Sequence, residues 1–272
     1  MPDDAPGATG YYGAYYRNFA DAAYAEIRRA EFGRDLGQNN WQTPAELDNF
    51  AAQLELSPAV RLLDVACGSG GLAVHLAQAT GCDVTGVDLE ESGLAHGRRI
   101  AQEAGIEARV RFARADASSQ LPFGEDSFDA VLCIDALNHL PGRATVLADW
   151  ARVLVPGGRL LFTDPVTITG LVSSQELAAR SAIGYFDFAP PGEDERLLIA
   201  AGLTVVAVAD LTEGVAAVAR RRFDERAQRA GALRRLEGDE AFESRQRFMD
   251  MVATLAGERR MSRFAFLAQK PR

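Results

Sequence analysis

The chain has 272 residues, 47% of them hydrophobic and 25% charged, with a formal net charge of −9. That composition suits a globular protein with one sizeable core, and its acidic balance argues against a nucleic-acid polyanion or an acidic membrane as the main partner. Cys67, Cys82 and Cys133 lie far apart with no C-x-x-C pair, so neither a zinc site nor a disulfide framework is expected, and a reducing cytoplasm is.

Residues 1–10 are rich in Pro, Gly and Asp and are expected to be loose. No apolar run reaches transmembrane length, and MPDDAPGATG lacks the regions of a signal peptide. Residues 14–32 place Tyr15, Tyr16, Phe19, Ala23, Ile27 and Ala30 at helical spacing. Thr43-Pro44-Ala45-Glu46 reads as a helix start, with Thr43 as N-cap and Glu46 closing a capping box, and that helix runs to about Leu56. From Ala59 the rhythm changes to strand and helix in alternation. VRLLDVA, CDVTGVDL, ARVRFARAD, SFDAVLCIDAL and GRLLFTDP read as strands. GGLAVHLAQAT, ESGLAHGRRIAQEAG and GRATVLADWARVLVPGG read as the helices between them. The alternation predicts an α/β fold, a doubly wound parallel sheet with helices on both faces. Further on come a helix over 174–183, the aromatic loop YFDFAPPG, a helix over 193–201, and the strand GLTVVAVAD. Two arginine-rich helices follow, about 212–236 and 239–257, and the terminal RMSRFAFLAQKP alternates like a strand. In ARRRFDERAQRAGALRR the acids are interleaved at helical spacing, which predicts a solvated face rather than a nucleic-acid groove.

The first strand leads into Gly68-x-Gly70-x-x-Ala73, which satisfies a dinucleotide fingerprint, and Asp88 follows 18 residues after Gly70. The glycines alone do not choose the ligand. Asp64, on the strand ahead of them, does: a carboxylate beside a pyrophosphate is repelled, whereas one beside an ammonium is stabilised. S-adenosylmethionine offers an α-ammonium, a carboxylate and a sulfonium. Asp88 at the second strand end suits ribose hydroxyls in either ligand, and Asp116 at the third suits an exocyclic amine of adenine, with the Ala117 N–H beside it for the ring.

The stretch 60–165 resembles the class I S-adenosylmethionine-dependent methyltransferases through LLDVACGSGG, VTGVDLE, ADA…LPFGEDSFDAV and VPGGRLLF. The resemblance implies a Rossmann-like seven-stranded mixed sheet whose last strand is antiparallel. It implies S-adenosylmethionine, with S-adenosylhomocysteine as product, bound by Asp64, Ala66, Gly68, Gly70, Asp88, Leu89, Asp116, Ala117 and Ile134, joined by Gln38 and Tyr16 from a lid. Residues 1–56 would form that N-terminal helical lid, and 57–272 the methyltransferase domain, with a cap insertion at about 165–202. Tyr15, Trp41, Asp135, Tyr185 and Phe186 are expected at a small-molecule acceptor. His139, after the fourth strand, is expected as general base with Asp164 as its partner. A positioned base of near-neutral pKa contributes about 10²–10⁴ in rate. His75 and His96, on helices, are expected away from the chemistry. The expected activity is O- or N-methylation in specialised metabolism, with no metal. The alternatives are a binder of S-adenosylmethionine that transfers no methyl group (a regulator or a cyclase) and, less favoured by Asp64, a nicotinamide oxidoreductase.

Overall fold

The computed structural model describes residues 8–272, with side chains from residue 12 onward. Seven strands make one sheet: β1 (Arg61–Val65), β2 (Asp83–Asp88), β3 (Val110–Arg114), β4 (Phe128–Ile134), β5 (Leu154–Ile168), β6 (Thr204–Asp210) and β7 (Met261–Gln269), in the order β3-β2-β1-β4-β5-β7-β6. β1 to β5 pair in parallel, and β7 runs antiparallel between β5 and β6, so the mixed sheet expected from the resemblance is present. β1 and β4 are buried nearly throughout because helices cover both faces of the sheet. One face packs on α3 (Pro44–Gln53), α4 (Gly71–Thr80) and α5 (Glu91–Glu103) through Leu47, Phe50, Leu76 and Ala101. The other packs on α6 (Arg143–Val153) and α8 (Glu193–Ala200) through Leu147, Trp150, Leu197 and Leu198. The strand order reverses between β1 and β4, which is where ligands of such sheets bind.

The capping box at Thr43 and Glu46 forms as read. Several boundaries differ from the sequence reading; β5 also runs past the expected GRLLFTDP to Ile168, and the helix expected over 174–183 stops at Arg180. Helix α6 stops at Val153, and LVPGG belongs to β5 instead, because Pro156 lacks a helical N–H and disfavours the helical conformation at Val155. The helix expected over 14–32 is two, α1 (Ala8–Arg17) and α2 (Ala22–Phe32), restarted by Asp21, whose side chain accepts from the Ala23 N–H. Residues 8–10, expected loose, thus lie in α1, and the rest of that stretch, 1–7, falls outside the described residues. The first arginine-rich helix also divides, into α9 (Thr212–Gln228) and α10 (Ala230–Glu237), ahead of α11 (Asp239–Gly257); the break turns Leu233 into a cluster with Tyr15, Phe19 and Phe242. A short α7 (Ser174–Arg180) follows β5.

The arginine-rich helices are a correction to the solvated face. Arg220 and Arg221 do face outward, but Arg222, Arg226 and Arg245 are buried. Arg222 pairs with Glu31 at 2.9 Å, and Arg226 and Arg245 both pair with Glu237 at 2.9 Å. The first pair holds α9 against α2, and the other two tie α9 and α11 to Glu237 of α10, which also accepts from Tyr24 Oη of α2 at 2.6 Å; Phe32 and Trp41 pack in one cluster with Val218, Phe248 and Met249.

Candidate active site

The turn after β1 is closed in by its neighbours. Ala66, Gly68 and Gly70 all have positive φ, of 57°, 58° and 74°. The Asp88 carboxylate accepts from the Gly68 N–H at 2.8 Å and from the Glu90 N–H at 2.9 Å, so the end of β2 fixes the turn. A Cβ on Gly68 would sit 2.3 Å from Tyr16 Oη, and one on Gly71 1.8 Å from the Leu36 carbonyl oxygen. Ser69 Oγ donates to the Gly37 carbonyl at 2.8 Å. Segment 36–37 therefore lies directly on the glycine turn.

Between these parts is a cavity of about 190 Å³. Its floor is the carboxyl ends of β1 and β4, where Ala66 and Asp135, two non-glycine residues, both have left-handed φ of 57° and 54°. Such backbone costs of order 1–3 kcal/mol per residue and gathers at ligand sites. Asp64 faces the cavity, buried, with Oδ2 making no hydrogen bond. Burial, then the Asp88 charge, pushes its pKa up to about 7. Gln38 lines the same cavity; its Oε1 accepts from the Leu36 N–H, and its Nε2 has no partner. An orphaned acceptor and an orphaned donor lining one cavity match a ligand bearing both an ammonium and a carboxylate. Leu89, Ala115, Ala117, Ile134 and Tyr16 also line the cavity.

His139 ends a short 3₁₀ turn, Leu137–His139, after β4. Its Nδ1 is 2.9 Å from the Tyr185 carbonyl and its Nε2 is 3.0 Å from Tyr12 Oη. A carbonyl only accepts, so Nδ1 carries the proton and Nε2 is the basic nitrogen. Burial lowers the imidazole pKa to about 4. Tyr12 and Phe186 meet the ring edge-on, with centroids 5.6 and 4.5 Å away.

Several expected site residues lie elsewhere. Asp164 does not bond His139: it is fully buried, accepts from Arg143 and from the Val166 N–H, and shares Arg143 with Asp194 at 2.8 Å. Its link to His139 is indirect, since Arg143 also donates to the Asp187 carbonyl at 2.6 Å and so anchors the loop that carries Tyr185. Gly70 does not line the cavity; it lets Phe112 and Gly97 approach, at 2.6 and 2.7 Å from a Cβ placed there. Asp116 is exposed and caps Ser118. Tyr15 is core, against Tyr24 and Phe19. Tyr185 offers its backbone carbonyl, while its side chain points outward, 46% exposed. Asp135 lines the cavity, but its oxygens are taken by the Trp41 N–H, Thr163 Oγ1 and Arg263 Nε at 2.7–2.9 Å. His75 and His96 sit on α4 and α5, outside the cavity lining.

Sequence reasoning missed Arg180, Asn138, Phe248 and Met249, which line the cavity together with Trp41 and Phe186. The apolar face of α11 carried a signal, but nothing in it said that this face closes the site.

A family model described as Methyltransferase domain matches residues 62–158. The chain is 36% identical over 152 residues to "Methyltransferase GfsG" of Streptomyces halstedii, covering 52% of this chain and 54% of that one. It is 35% identical over 164 residues to "O-methyltransferase rstn1" of Aspergillus nomiae, covering 58% of this chain and 71% of that one. Among solved structures, the fold is like that of the cyclopropane synthase MmaA2 from Mycobacterium tuberculosis, with a TM-score of 0.83, 17% identity, and 98% and 100% of the two chains covered. The chain belongs to the class I S-adenosylmethionine-dependent methyltransferases. It spans about half the length of several of the curated relatives it matches. Among the described residues, no helix is long and apolar enough to cross a membrane.

Proposed function

We propose that this chain transfers a methyl group from S-adenosylmethionine to a small-molecule acceptor in specialised metabolism, at the cavity between the glycine turn and His139. The observation that carries the reading is the pairing of two orphans, Asp64 Oδ2 and Gln38 Nε2, on the wall of a cavity that also holds a buried histidine. Asp64 would hold the ammonium, Gln38 the carboxylate and Asp88 the ribose hydroxyls, with Ala115 and Ala117 against the adenine. Bound there, S-adenosylmethionine supplies a methyl carbon already activated by its sulfonium. The chain's own work is to align, dry and deprotonate. Alignment of two reactants supplies roughly 7–11 kcal/mol of a barrier. The N-terminal helices, segment 36–41 and the 165–202 insertion act as the lid that excludes water.

His139 takes the acceptor's hydroxyl proton at Nε2, after the hydroxyl displaces Tyr12 Oη. An imidazole with its pKa near 4 is unprotonated at neutral pH and needs no prior proton loss. It is also a weak base, so it matches acidic hydroxyls, phenols and enols, ahead of alcohols. Asp164 acts as a positioning residue through Arg143 and the Tyr185 loop.

The test is calorimetric titration with S-adenosylmethionine, S-adenosylhomocysteine and NAD, on the native chain and on Asp88→Ala. Binding of the two adenosyl ligands, lost in the variant, with none of NAD, is expected. NAD binding instead would overturn the reading. Binding with no methyl transfer to any phenol or enol tested would favour the non-transferring alternative.

A further inference from the structure

Arg180 ends α7 with 2% of its side chain exposed, and its Nη1 makes no hydrogen bond. The other buried arginines of the described residues each hold a carboxylate. Arg28 has Asp35, Arg143 has Asp164 and Asp194, and Arg263 has Asp135 and Glu46. Arg222 has Glu31, while Arg226 and Arg245 share Glu237. No described carboxylate lies within ion-pair distance of Arg180. Its guanidinium rests instead on Phe186 and Phe248, 4.7 and 5.0 Å from their centroids. Stacking on rings offsets only part of the cost of burying an ion. Burial lowers its pKa to about 10, so it stays charged at neutral pH.

Arg180 lines the candidate active site, and so does Asn138, which is fully buried with neither Nδ2 nor Oδ1 hydrogen bonded. Two orphaned donors therefore line one cavity. Phe186 touches both His139 and Arg180, so the base and the cation flank a single ring. Trp41, Ile183, Phe248 and Met249 add apolar surface to the same cavity.

We infer that Arg180 and Asn138 anchor a carboxylate carried by the acceptor, which makes the substrate class an apolar or aromatic hydroxy acid. The inference rests on the proposed function for the identity of the site. A carboxylate fits better than a phosphate: one uncompensated guanidinium neutralises one negative charge, and a phosphate dianion would leave the second buried among rings. The carboxylate would accept from Arg180 Nη1 and Asn138 Nδ2, while the apolar body lies on Phe186 and Phe248 and presents its hydroxyl towards His139.

The test uses acid and amide pairs: benzoate and benzamide, cinnamate and cinnamamide, octanoate and octanamide. Each is titrated calorimetrically into the protein saturated with S-adenosylhomocysteine. At least one acid is expected to bind roughly tenfold to a hundredfold more tightly than its amide. The preference is expected to vanish in Arg180→Met and to survive in part in Arg180→Lys, which keeps the charge but not the planar fork. Equal affinity within every pair, no acid bound at all, tighter binding of inorganic phosphate, or a preference that persists in Arg180→Met would each overturn the inference. The native-chain comparison stands even where Arg180→Met fails to fold. Failure of S-adenosylhomocysteine itself to bind overturns the proposed function instead, and the acid and amide comparison repeated without it still decides the anchor.

Discussion

Asp64 and His139 share a cavity, and burial moves their pKa values in opposite senses, up to about 7 and down to about 4, each towards its neutral form. A cationic ligand beside Asp64 reverses the first shift. Binding of S-adenosylmethionine below pH 7 is therefore expected to release up to about one proton, read as a dependence of calorimetric heat on buffer ionisation enthalpy. Asp64→Asn is expected to abolish that release and to weaken binding by about 1.5–3 kcal/mol, the range for a hydrogen bond to a charged group. Unchanged affinity in the variant would remove Asp64 from the cofactor site. His139→Ala is expected to lower kcat towards a phenolic acceptor by about 10²–10⁴ with the affinity for S-adenosylhomocysteine kept. An equal rate in the variant would exclude the base, and would point to an amine acceptor that needs none.

At the scale of elements, the glycine turn and the segment over it form one contact. Gly71 starts α4, where alanine is ordinarily better by about 1 kcal/mol. Here a Cβ would meet the Leu36 carbonyl oxygen at 1.8 Å, so Gly71→Ala must lift segment 36–37. It is expected to destabilise the protein by about 1–3 kcal/mol, the range for overpacking, with a matching loss of cofactor affinity measurable by titration. The Tyr185 loop depends in the same way on Arg143, which holds Asp164, Asp194 and the Asp187 carbonyl at once. Arg143→Met leaves two buried carboxylates without their cation. It is expected to cost about 3–5 kcal/mol, seen as a lower urea midpoint, and to release His139 from its carbonyl. A midpoint within error of the native chain would show that the insertion is anchored by packing alone.

Across the whole molecule, the two shifted groups give stability an opposed pH dependence. The folded pKa of Asp64 lies above its unfolded value of 3.8, so its contribution is complete below pH 3.8 and is lost as pH rises through about 7. The folded pKa of His139 lies below its unfolded value of 6.5, so its contribution is complete above pH 6.5 and is lost as pH falls through about 4. Asp64→Asn removes only the first. Relative to the native chain it is expected to gain stability from pH 4 to pH 8, on the order of a few kcal/mol, by thermal melting across that range; parallel curves would show that Asp64 is ionised throughout.

By itself the sequence determined the sheet, the glycine turn and the acids at its edge. These are local: apolar runs of strand length, glycines at positive φ, and Asp88 placed at the end of β2 where it accepts from the Gly68 N–H. His139 was legible through the resemblance, which implies a histidine just past β4, near the switch point. Tertiary structure decided the rest. Asp116 and Asp164 read in sequence as strand-end acids as Asp88 does, yet one caps its own loop and the other lies within β5, paired with Arg143, and the sequence pattern cannot separate these fates. The arginine-rich helices look solvated in sequence because pairing partners such as Glu31 lie far away along the chain, 191 residues from Arg222. Arg180 carries no local mark at all. It stands out only once every other buried arginine has found its carboxylate, because an unpaired charge is a property of the packed cavity and not of the residues on either side of it.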